Sequence, residues 1–484
     1  MQHRVIARTL GKFFLVIGLA MLLPLAWGLP GPPRDLAAFL IPSAIGIGGG
    51  AALYLAFRNI RREIARRDAL ALVTLSWIGA ALLGALPFLI SGAVDNFTDA
   101  WFEAMSGFTT TGATVIEDVT ALSREMLFWR SFTQWLGGMG IIVLFIAILP
   151  YVGMGVRRMF KGEVPGPVKE GLTPRIQQTA RTLWLIYLGL SVVQAALLMY
   201  YGMTFHDAVC HTCTTIATGG FSTRNESIGW YASFPIEAVL VAVMAIAGAN
   251  FSLHYRLLTR RSLSAYLRDS EFRVYAGILL GATLLITANL TLAAPAGGSL
   301  LNNARNAGFT VVSIMTTTGF GTADFDQWPS FSRLLLVALM VIGGSAGSTG
   351  GGIKVVRLIV LVKNAYSGTY RVFRPHAVKQ PKLNGRPVSD DVVQSVNTFF
   401  VIFIFIFVAA TLVMTGLGID PVTAFSAVAA TLGNIGPGLG LVGPTSTYAW
   451  VPPPGKWVLS ACMLFGRLEL FTVLCLLIPS IWKR

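Results

Sequence analysis

Charge is what this chain of 484 residues has least of: Asp, Glu, Lys and Arg together make up 12%. Soluble domains carry about 25%, so a soluble globular protein is excluded. Only four cysteines occur, too few for a disulfide framework. The single CxxC, Cys210 to Cys213, stands alone within an apolar segment, where packing accounts for it without metal or redox chemistry. His206, His211 and His254 are scattered, and no cluster of His, Asp or Glu lies within the apolar runs, so no enzyme is indicated. No phosphate-binding loop is present, and no organic cofactor is expected on the chain.

In place of charge the chain has long apolar runs, with 54% hydrophobic residues. Crossing a bilayer takes roughly 20 consecutive apolar residues. Ten runs reach that length, at about 9–29, 36–57, 69–92, 126–152, 181–204, 232–255, 273–294, 331–362, 393–417 and 456–481. Backbone amides in hydrocarbon need internal partners, so all ten are expected to be helices. The expected fold is an all-α polytopic membrane protein with ten transmembrane helices. Arg4, Arg8 and Lys12 ahead of the first run resemble a signal peptide. The run is too long for one, however, and no small-x-small site follows, so a retained helix is expected.

The formal net charge of +15 follows from topology. Basic residues cluster in alternate loops: "RNIRREIARR" at 58–67, Arg157 to Arg181, Arg256 to Arg273 and Lys354 to Arg386, with Lys483 and Arg484 at the end. The intervening loops have few. This positive-inside pattern puts both termini in the cytoplasm. Anionic lipid headgroups are the natural partner of such loops, and nucleic-acid binding is not needed to explain the charge.

Short semi-polar segments separate runs 3 and 4, 5 and 6, 7 and 8, and 9 and 10. They read "DAWFEAMSGFTTTGAT" (99–114), "DAVCHTCTTIATGGFS" (207–222), "NAGFTVVSIMTTTGFG" (306–321) and "DPVTAFSAVAATLGNIGPG" (420–438). Each starts with Asp or Asn, runs about three helical turns and ends in a glycine turn, with Gly112, Gly220, Gly319 and Gly436 in line. Asp99, Asp207, Asn306 and Asp420 are expected to cap the short helices. The fourth copy departs, with Asn434 where the others have Thr and a short helix about a turn longer. Four units of helix, pore helix, filter loop and helix thus follow two extra N-terminal helices. The boundaries are 1–67 for the N-terminal pair and 68–155, 156–260 and 261–366 for the first three repeats. A cytoplasmic loop takes up 367–390, and the fourth repeat 391–484.

Arranged around one axis, the four short helices would point their C-terminal ends, which carry partial negative charge, at the centre. The glycine turns would line it with carbonyl oxygens, the construction that replaces a cation's hydration shell. Irregular backbone at membrane depth is tolerated where it lines such a cavity.

With "FEAMSGFTTTGAT", "ATGGFSTRN", "TTTGFGT" and "LGNIGPGLG" in these positions, the chain resembles the Trk/Ktr/HKT superfamily of cation channels. The two additional N-terminal helices and "GGSAGSTGGGIKV" (343–355) make it most similar to the bacterial TrkH-type membrane subunits. The resemblance implies a potassium-uptake channel of the bacterial inner membrane that works as a homodimer with a pore in each protomer. It also implies a cytosolic regulator of the TrkA type that binds the nucleotides. On this resemblance the backbone carbonyls of Thr110–Thr111–Gly112, Thr218–Gly219–Gly220, Thr317–Thr318–Gly319 and Asn434–Ile435–Gly436 would coordinate K+. Serine in place of the first filter glycine resembles a sodium-preferring state of the plant branch, whereas Gly112 favours potassium.

Six glycines between Gly343 and Gly352 should break the eighth run, since each costs a helix about 1 kcal/mol relative to alanine. A glycine-rich packing face is one reading. The resemblance implies instead an intramembrane gating loop made of Gly343, Gly344, Ser345, Ala346, Gly347, Ser348, Thr349, Gly350, Gly351 and Gly352. Lys354 either ends this loop as a cationic barrier or snorkels to the inner surface. Arg467 lies inside the last run with Glu469 two residues on. At that spacing the two do not share a helix face, so a mutual salt bridge is not expected. The resemblance turns Arg467 toward the gating loop; a structural pairing with another helix's carboxylate is the alternative. Asn384–Gly385 signals a tight hairpin on the cytoplasmic side. The competing reading of the whole chain is an ion-coupled secondary transporter (Na+ or H+ symport) with broken helices. Those folds pair inverted halves, whereas here four units share one orientation.

Overall fold

A computed structural model describes residues 3–28, 35–59, 66–148, 172–293, 299–374 and 380–477. Much of the basic sequence expected on one membrane face, at 60–65, 157–171 and 375–379 together with Lys483 and Arg484, lies outside the described residues. The first two helices, α1 (His3–Ala20) and α2 (Leu36–Ala56), meet along glycines. A Cβ on Gly11 would stand 2.7 Å from the Gly50 carbonyl oxygen, and one on Gly18 would stand 2.8 Å from the Ile47 amide. Small residues allow this close approach, which replaces the hydrophobic drive that lipid cannot supply.

The order long helix, short helix, turn, helix then recurs four times. The first unit is α3 (Arg66–Ile90), α4 (Phe97–Phe108) and α5 (Arg124–Ile148). The second is α6 (Leu172–Tyr200), α7 (Phe205–Ile216), α8 (Phe234–Ala247) and α9 (Phe251–Arg260), followed by the short α10 (Ser264–Arg268). The third is α11 (Ser270–Ala293), α12 (Leu300–Met315), α13 (Ser330–Ile342) and α14 (Val355–Phe373). A two-stranded hairpin, β1 (Lys382–Leu383) and β2 (Arg386–Pro387), leads to α15 (Asp390–Gly416), α16 (Pro421–Leu432), α17 (Pro453–Arg467) and α18 (Leu470–Leu477).

Burial is inverted relative to a soluble protein. Long helices expose Val192 and Val193 of α6, Leu280 and Leu284 of α11, and Val401, Phe405 and Leu412 of α15. The short helices are buried almost all round, from Ala100 to Phe108 in α4 and from Ala427 to Leu432 in α16. A helix buried on every side belongs at the centre of an assembly.

The described residues do not confirm the count of ten spans. Among the described residues six helices are long and apolar enough to cross a bilayer, or seven if the bent pair α8–α9 counts as one. The other three expected runs coincide with α5, which carries Arg130 and Gln134, and with the broken pairs α13–α14 and α17–α18. The sixth run, expected as one helix, bends by 96° between Ala247 and Phe251. Asn250 starts the second helix, its side chain accepting from the Ser252 amide at 2.9 Å. An Asn cap is a start signal that apolar periodicity does not register.

Two expectations about the short helices also need correction. Asp420 does cap α16, accepting from the Val422 and Thr423 amides. In α4 and α7 the caps are Asn96 and Thr204, three residues earlier than expected, and α12 begins after Ser299. Asp99 and Asp207 stand at the third helical position, where an acid favours the positive helix end. The interval from Asn96 to Gly112 therefore equals those from Thr204 to Gly220 and from Asp420 to Gly436. The fourth short helix is no longer than the first two, at 12 residues each; the longer one is α12, with 16.

Candidate functional site

The C-terminal ends of α4, α7, α12 and α16 finish in one local structure. The amides of Thr110, Thr218, Thr317 and Asn434 each donate to the carbonyl three residues back, at 2.9, 2.9, 3.0 and 3.2 Å. The next amides, of Thr111, Gly219, Thr318 and Ile435, each reach five residues back at 2.8 Å. This is the Schellman closure, which satisfies orphan carbonyls and needs a left-handed residue at its turn. That residue is Thr110, Thr218, Thr317 or Asn434, with φ of 54°, 53°, 60° and 56°. A β-branched residue in this region costs of order 1–3 kcal/mol and persists where its surroundings over-determine it.

Two residues on, Gly112, Gly220, Gly319 and Gly436 also have positive φ, between 76° and 101°. Their neighbours show why no side chain fits. A Cβ on Gly112 would strike the carbonyl oxygen of Gly219, one on Gly220 that of Thr318, and one on Gly319 that of Ile435, all deep inside van der Waals contact. A Cβ on Gly436 would lie 2.8 Å from the carbonyl oxygen of Thr111. The first loop touches the second, the second the third, the third the fourth, and the fourth the first. Four segments far apart in sequence therefore close into one ring, each glycine against the carbonyl of the next loop.

Each loop has its own brace. Thr109 and Thr111 pair their hydroxyls at 2.8 Å, as do Thr316 and Thr318. Gln134 of α5 donates to the Gly219 carbonyl at 2.7 Å and accepts from the Phe221 amide at 3.1 Å. Asn434 spans two loops, donating to the Thr111 hydroxyl at 3.0 Å and to the Met463 carbonyl at 2.9 Å. Tyr448 donates to the Gly436 carbonyl at 2.7 Å. The carbonyls of Gly219 and Gly436 thus each take a side-chain hydrogen bond, and the ring is only pseudo-symmetric.

Behind the ring lies a buried ion pair that composition and repeats did not signal. Arg130 of α5 donates to Glu103 of α4 at 2.8 Å, with side chains 2% and 0% exposed. Glu103 also accepts from the Thr114 hydroxyl and the Val115 amide, both at 3.0 Å. Arg130 reaches the Ser222 carbonyl at 3.2 Å and stacks on Phe221, 4.1 Å from its centroid. A lone Glu in "DAWFEAMSGF" and a lone Arg in "MLFWRSFTQW" were the available signal, since ionisable residues at membrane depth are paired or functional. Farther out, Lys456 of α17 bonds Asp99 at 2.5 Å. Asp118 and Asn225 join the loops after the first and second turns at 2.8 Å. Hydrogen bonds from the Thr120 side chain and then Asn225 hold the Asp118 carboxyl below its ordinary range, so this exposed rim stays anionic at neutral pH. Asp420 is lowered likewise, first by its bond to the Thr423 side chain.

On the other side of the ring the eighth run is interrupted from Gly343 to Lys354, with positive φ at Gly343, Gly347, Gly352 and Lys354. The interruption is a closed loop rather than a glycine packing face. Its stems pair where Ile353 and Lys354 donate to Val341 and Ile342 at 3.1 and 2.9 Å. The loop presses on the ring. The Gly351 amide donates to the Thr317 hydroxyl at 2.7 Å, and the Thr218 hydroxyl bonds that of Thr349 at 3.3 Å. A Cβ on Gly350 would lie 2.9 Å from the Thr316 carbonyl oxygen. Laterally the loop is tied to the α8–α9 bend, Ser345 donating to Gly248 at 2.9 Å and Phe251 to Gly347 at 3.0 Å. Ser348 closes the loop on itself through the Ser345 carbonyl at 2.6 Å, and Ala346 is buried.

Arg467 is 3% exposed and contacts this loop, donating to the Thr349 carbonyl at 2.5 Å and to the Gly137 carbonyl of α5 at 2.9 Å. Among the described residues no carboxylate forms a salt bridge with it. Glu469 pairs with Arg357 instead, at 2.7 Å. Lys354 does not snorkel; its ammonium folds back onto the Gly350 carbonyl. Cys210 and Cys213 are buried free thiols, Cys210 resting 3.7 Å from the His206 imidazole. Among the described residues no group of three or more His, Cys, Asp or Glu is arranged to hold a metal.

Comparison with known proteins agrees with this geometry over the whole chain. The TrkH family, described as cation transport protein, matches residues 36–484. The Trk system potassium uptake protein TrkH of Salmonella typhimurium is 40% identical over 487 residues, covering all of both chains. The Trk system potassium uptake protein TrkG of Escherichia coli is 33% identical over 99% of each. The crystal structure of the potassium transporter TrkH from Vibrio parahaemolyticus superposes with a TM-score of 0.92 at 39% identity, covering all of both chains. The chain is a membrane protein of the TrkH family of cation transport proteins.

Proposed function

We propose that the chain is a potassium-uptake subunit that passes K+, and Rb+ in its place, through the ring formed by residues 110–112, 218–220, 317–319 and 434–436. The observation that carries this reading is the cyclic contact of each glycine with the next loop's carbonyl. Backbone carbonyls converging at the negative ends of four buried helices suit a dehydrated monovalent cation. The names of the relatives, potassium uptake proteins of Trk systems, support the same ion. The four pore repeats are those bounded at 68–155, 156–260, 261–366 and 391–484. The chain lies in the bacterial inner membrane with both termini cytoplasmic, as the basic loops favour. It works as a homodimer with a cytosolic TrkA-type nucleotide-binding regulator, for which the basic segment 367–390 is a suitable docking face. K+ is its permeant ion, and no organic cofactor is required on this chain.

The loop from Gly343 to Gly352, with Lys354 and Arg467, is the gate. Its support is steric and electrostatic: the loop lies against the ring, and a buried guanidinium holds it there. Both would impede a cation leaving the filter. Arg467→Ala removes two hydrogen bonds to backbone carbonyls and one positive charge. Rubidium flux is expected to rise several-fold with ion preference intact; unchanged flux would remove Arg467 from the gate.

Radioactive rubidium uptake into proteoliposomes, with potassium or sodium as competitor, tests the filter. Potassium should compete well and sodium poorly, and Gly112→Ser should lose that preference, because its Cβ meets the Gly219 carbonyl. If neither ion competes while sodium- or proton-driven solute uptake appears, the chain is a secondary transporter instead.

A further inference from the structure

One acidic residue near the gate loop does something other than stabilise its own helix. Glu271 is the second residue of α11 and is buried. An acid in a helix's first turn ordinarily serves that turn. Here Asp269 caps α11, accepting from the Phe272 amide at 2.9 Å. Glu271 Oε1 points across to the broken helix, accepting from the Ala346 amide at 2.7 Å and from the Val356 amide at 3.1 Å. One oxygen thus holds the middle of the glycine loop and the start of the helix that follows it. Ala346 lies between Ser345 and Gly347, two of the residues that tie the loop to the α8–α9 bend, with Thr349 on the Ala247 carbonyl a third, so this bond bears on how far the loop reaches.

The residue beside Glu271 is gripped from the hairpin. Asn384 Oδ1 accepts from the Ser270 amide at 2.7 Å and from its hydroxyl at 2.6 Å, while Asn384 Nδ2 donates to Asp269 at 3.0 Å. Asn384 and Gly385 form the two-residue turn between β1 and β2, with φ of 49° and 78°, the left-handed pair such a turn demands. The hairpin is also fastened to the far half of the broken helix, since Lys363 of α14 donates to the Lys382 carbonyl at 2.7 Å. Val388 packs with Val360 of α14 and Val392 of α15, with Leu383 against them. The hairpin therefore touches both elements that Glu271 ties together, the start of α11 and the helix α14.

We infer that Glu271 is a positioning residue of the glycine loop, and that the 382–387 hairpin sets it through Asn384 and Ser270. This rests on the reading of the loop as the gate. Pulling the hairpin away from α11 would move the start of that helix, and with it the oxygen that holds Ala346 and Val356. A force on the chain's polar face is thereby delivered to the backbone beneath the ring without passing through the ring itself.

Three variants test this in the full-length protein. Asn384→Gly keeps the left-handed turn and deletes only the side chain. Glu271→Ala removes the accepting oxygen, and Glu271→Gln keeps it. Rubidium uptake should rise about fivefold, the scale of one net hydrogen bond, in Asn384→Gly, which slackens the start of α11 indirectly, and further in Glu271→Ala, which removes both bonds to the broken helix. Glu271→Gln should restore most of the closed behaviour, and the preference for potassium over sodium should not change. Hydrogen exchange of the segment spanning Ala346 to Val356 should quicken in Asn384→Gly. The double variant should conduct no more than Glu271→Ala alone, because both act along one path. Unchanged flux and exchange in Asn384→Gly, or multiplied effects in the double variant, would overturn the inference. Should Glu271→Ala fail to fold, Asn384→Gly and Glu271→Gln decide through the exchange of Ala346. Arg467→Ala keeps the two levels apart. If it raises flux while Asn384→Gly does not, the hairpin path fails and the gate stands; if neither does, the gate reading fails as well.

Discussion

Gly220→Ala is expected to abolish selective rubidium uptake, with flux falling by about 100-fold or more. The added Cβ meets the Thr318 carbonyl oxygen of the next loop deep inside contact distance, and the residue would have to hold φ near 76°. The left-handed conformation alone costs about 1–2 kcal/mol. The clash adds to this, because the opposing loop cannot retreat. The Thr318 amide is bonded to Ser313 at 2.8 Å and its hydroxyl to Thr316 at 2.8 Å. Either the ring opens or the Thr318 carbonyl turns from the axis, and both leave an ion less well solvated. Each 1.36 kcal/mol on a barrier is about tenfold in rate, so a loss of roughly 3 kcal/mol suffices. Gly277→Ala is the control: that glycine is in a helix with nothing within 4 Å of the added carbon. It should leave flux intact and stabilise by up to about 1 kcal/mol. A selective Gly220→Ala protein would show that the ring is not the conducting element.

The difference between those two glycines could be read from sequence only through the repeat. Gly220 stands at the same position as Gly112, Gly319 and Gly436, whereas Gly277 has no counterpart. Local grammar also gave the break at the glycine run and the Asn384–Gly385 turn, since both depend on the backbone freedom of a few adjacent residues. What escaped was set by partners distant in the chain. Asn96 and Thr204 cap α4 and α7 because the chain enters those helices one turn earlier than the aspartates suggested. The α8–α9 bend is anchored by bonds from Gly248 and Phe251 to a loop about a hundred residues away. Glu271, Gln134 and Tyr448 look unremarkable in a single sequence, because each acts on a backbone group that only the packed helices bring within reach.

That distribution of partners separates two mechanical regimes. The ring is held by hydroxyl pairs, by Gln134 and by Tyr448, all from elements that pack continuously. The loop from Gly343 to Gly352 is held by hydrogen bonds to helix ends and a bend: the α8–α9 bend, Arg467 at the end of α17, and Glu271 at the start of α11. Low-stability segments are those with few apolar contacts, and a loop of glycine, serine and threonine has little apolar surface to bury. On the proposed reading of the loop as the gate, the ring stays fixed while the loop changes shape and releases its bonds to Thr317 and Thr218.

The Arg130–Glu103 pair should show the largest loss of stability from any single change. Removing one partner of a buried pair strands the other charge and costs about 3–5 kcal/mol. Arg130→Met leaves the Glu103 carboxylate facing only the Thr114 hydroxyl and the Val115 amide. Glu103→Gln leaves the guanidinium on the Ser222 carbonyl, the Thr114 hydroxyl and the Phe221 ring, with no carboxylate beside it. Either single variant should lower the thermal midpoint in detergent sharply. The double variant Glu103→Gln with Arg130→Met has no stranded charge, and neutral replacements of a buried pair are often tolerated. It should recover most of the lost midpoint. Its transport should not recover in step, because Arg130 also ties the stretch after the first filter turn, at Thr114, to the stretch after the second, at Ser222. Without that tie the contact of Gly112 with the Gly219 carbonyl is free to widen, and the preference for potassium over sodium should fall although the protein is folded. A double variant that regains both stability and preference would reduce the pair to a packing device. One that regains stability alone would make it the outer brace of the ring.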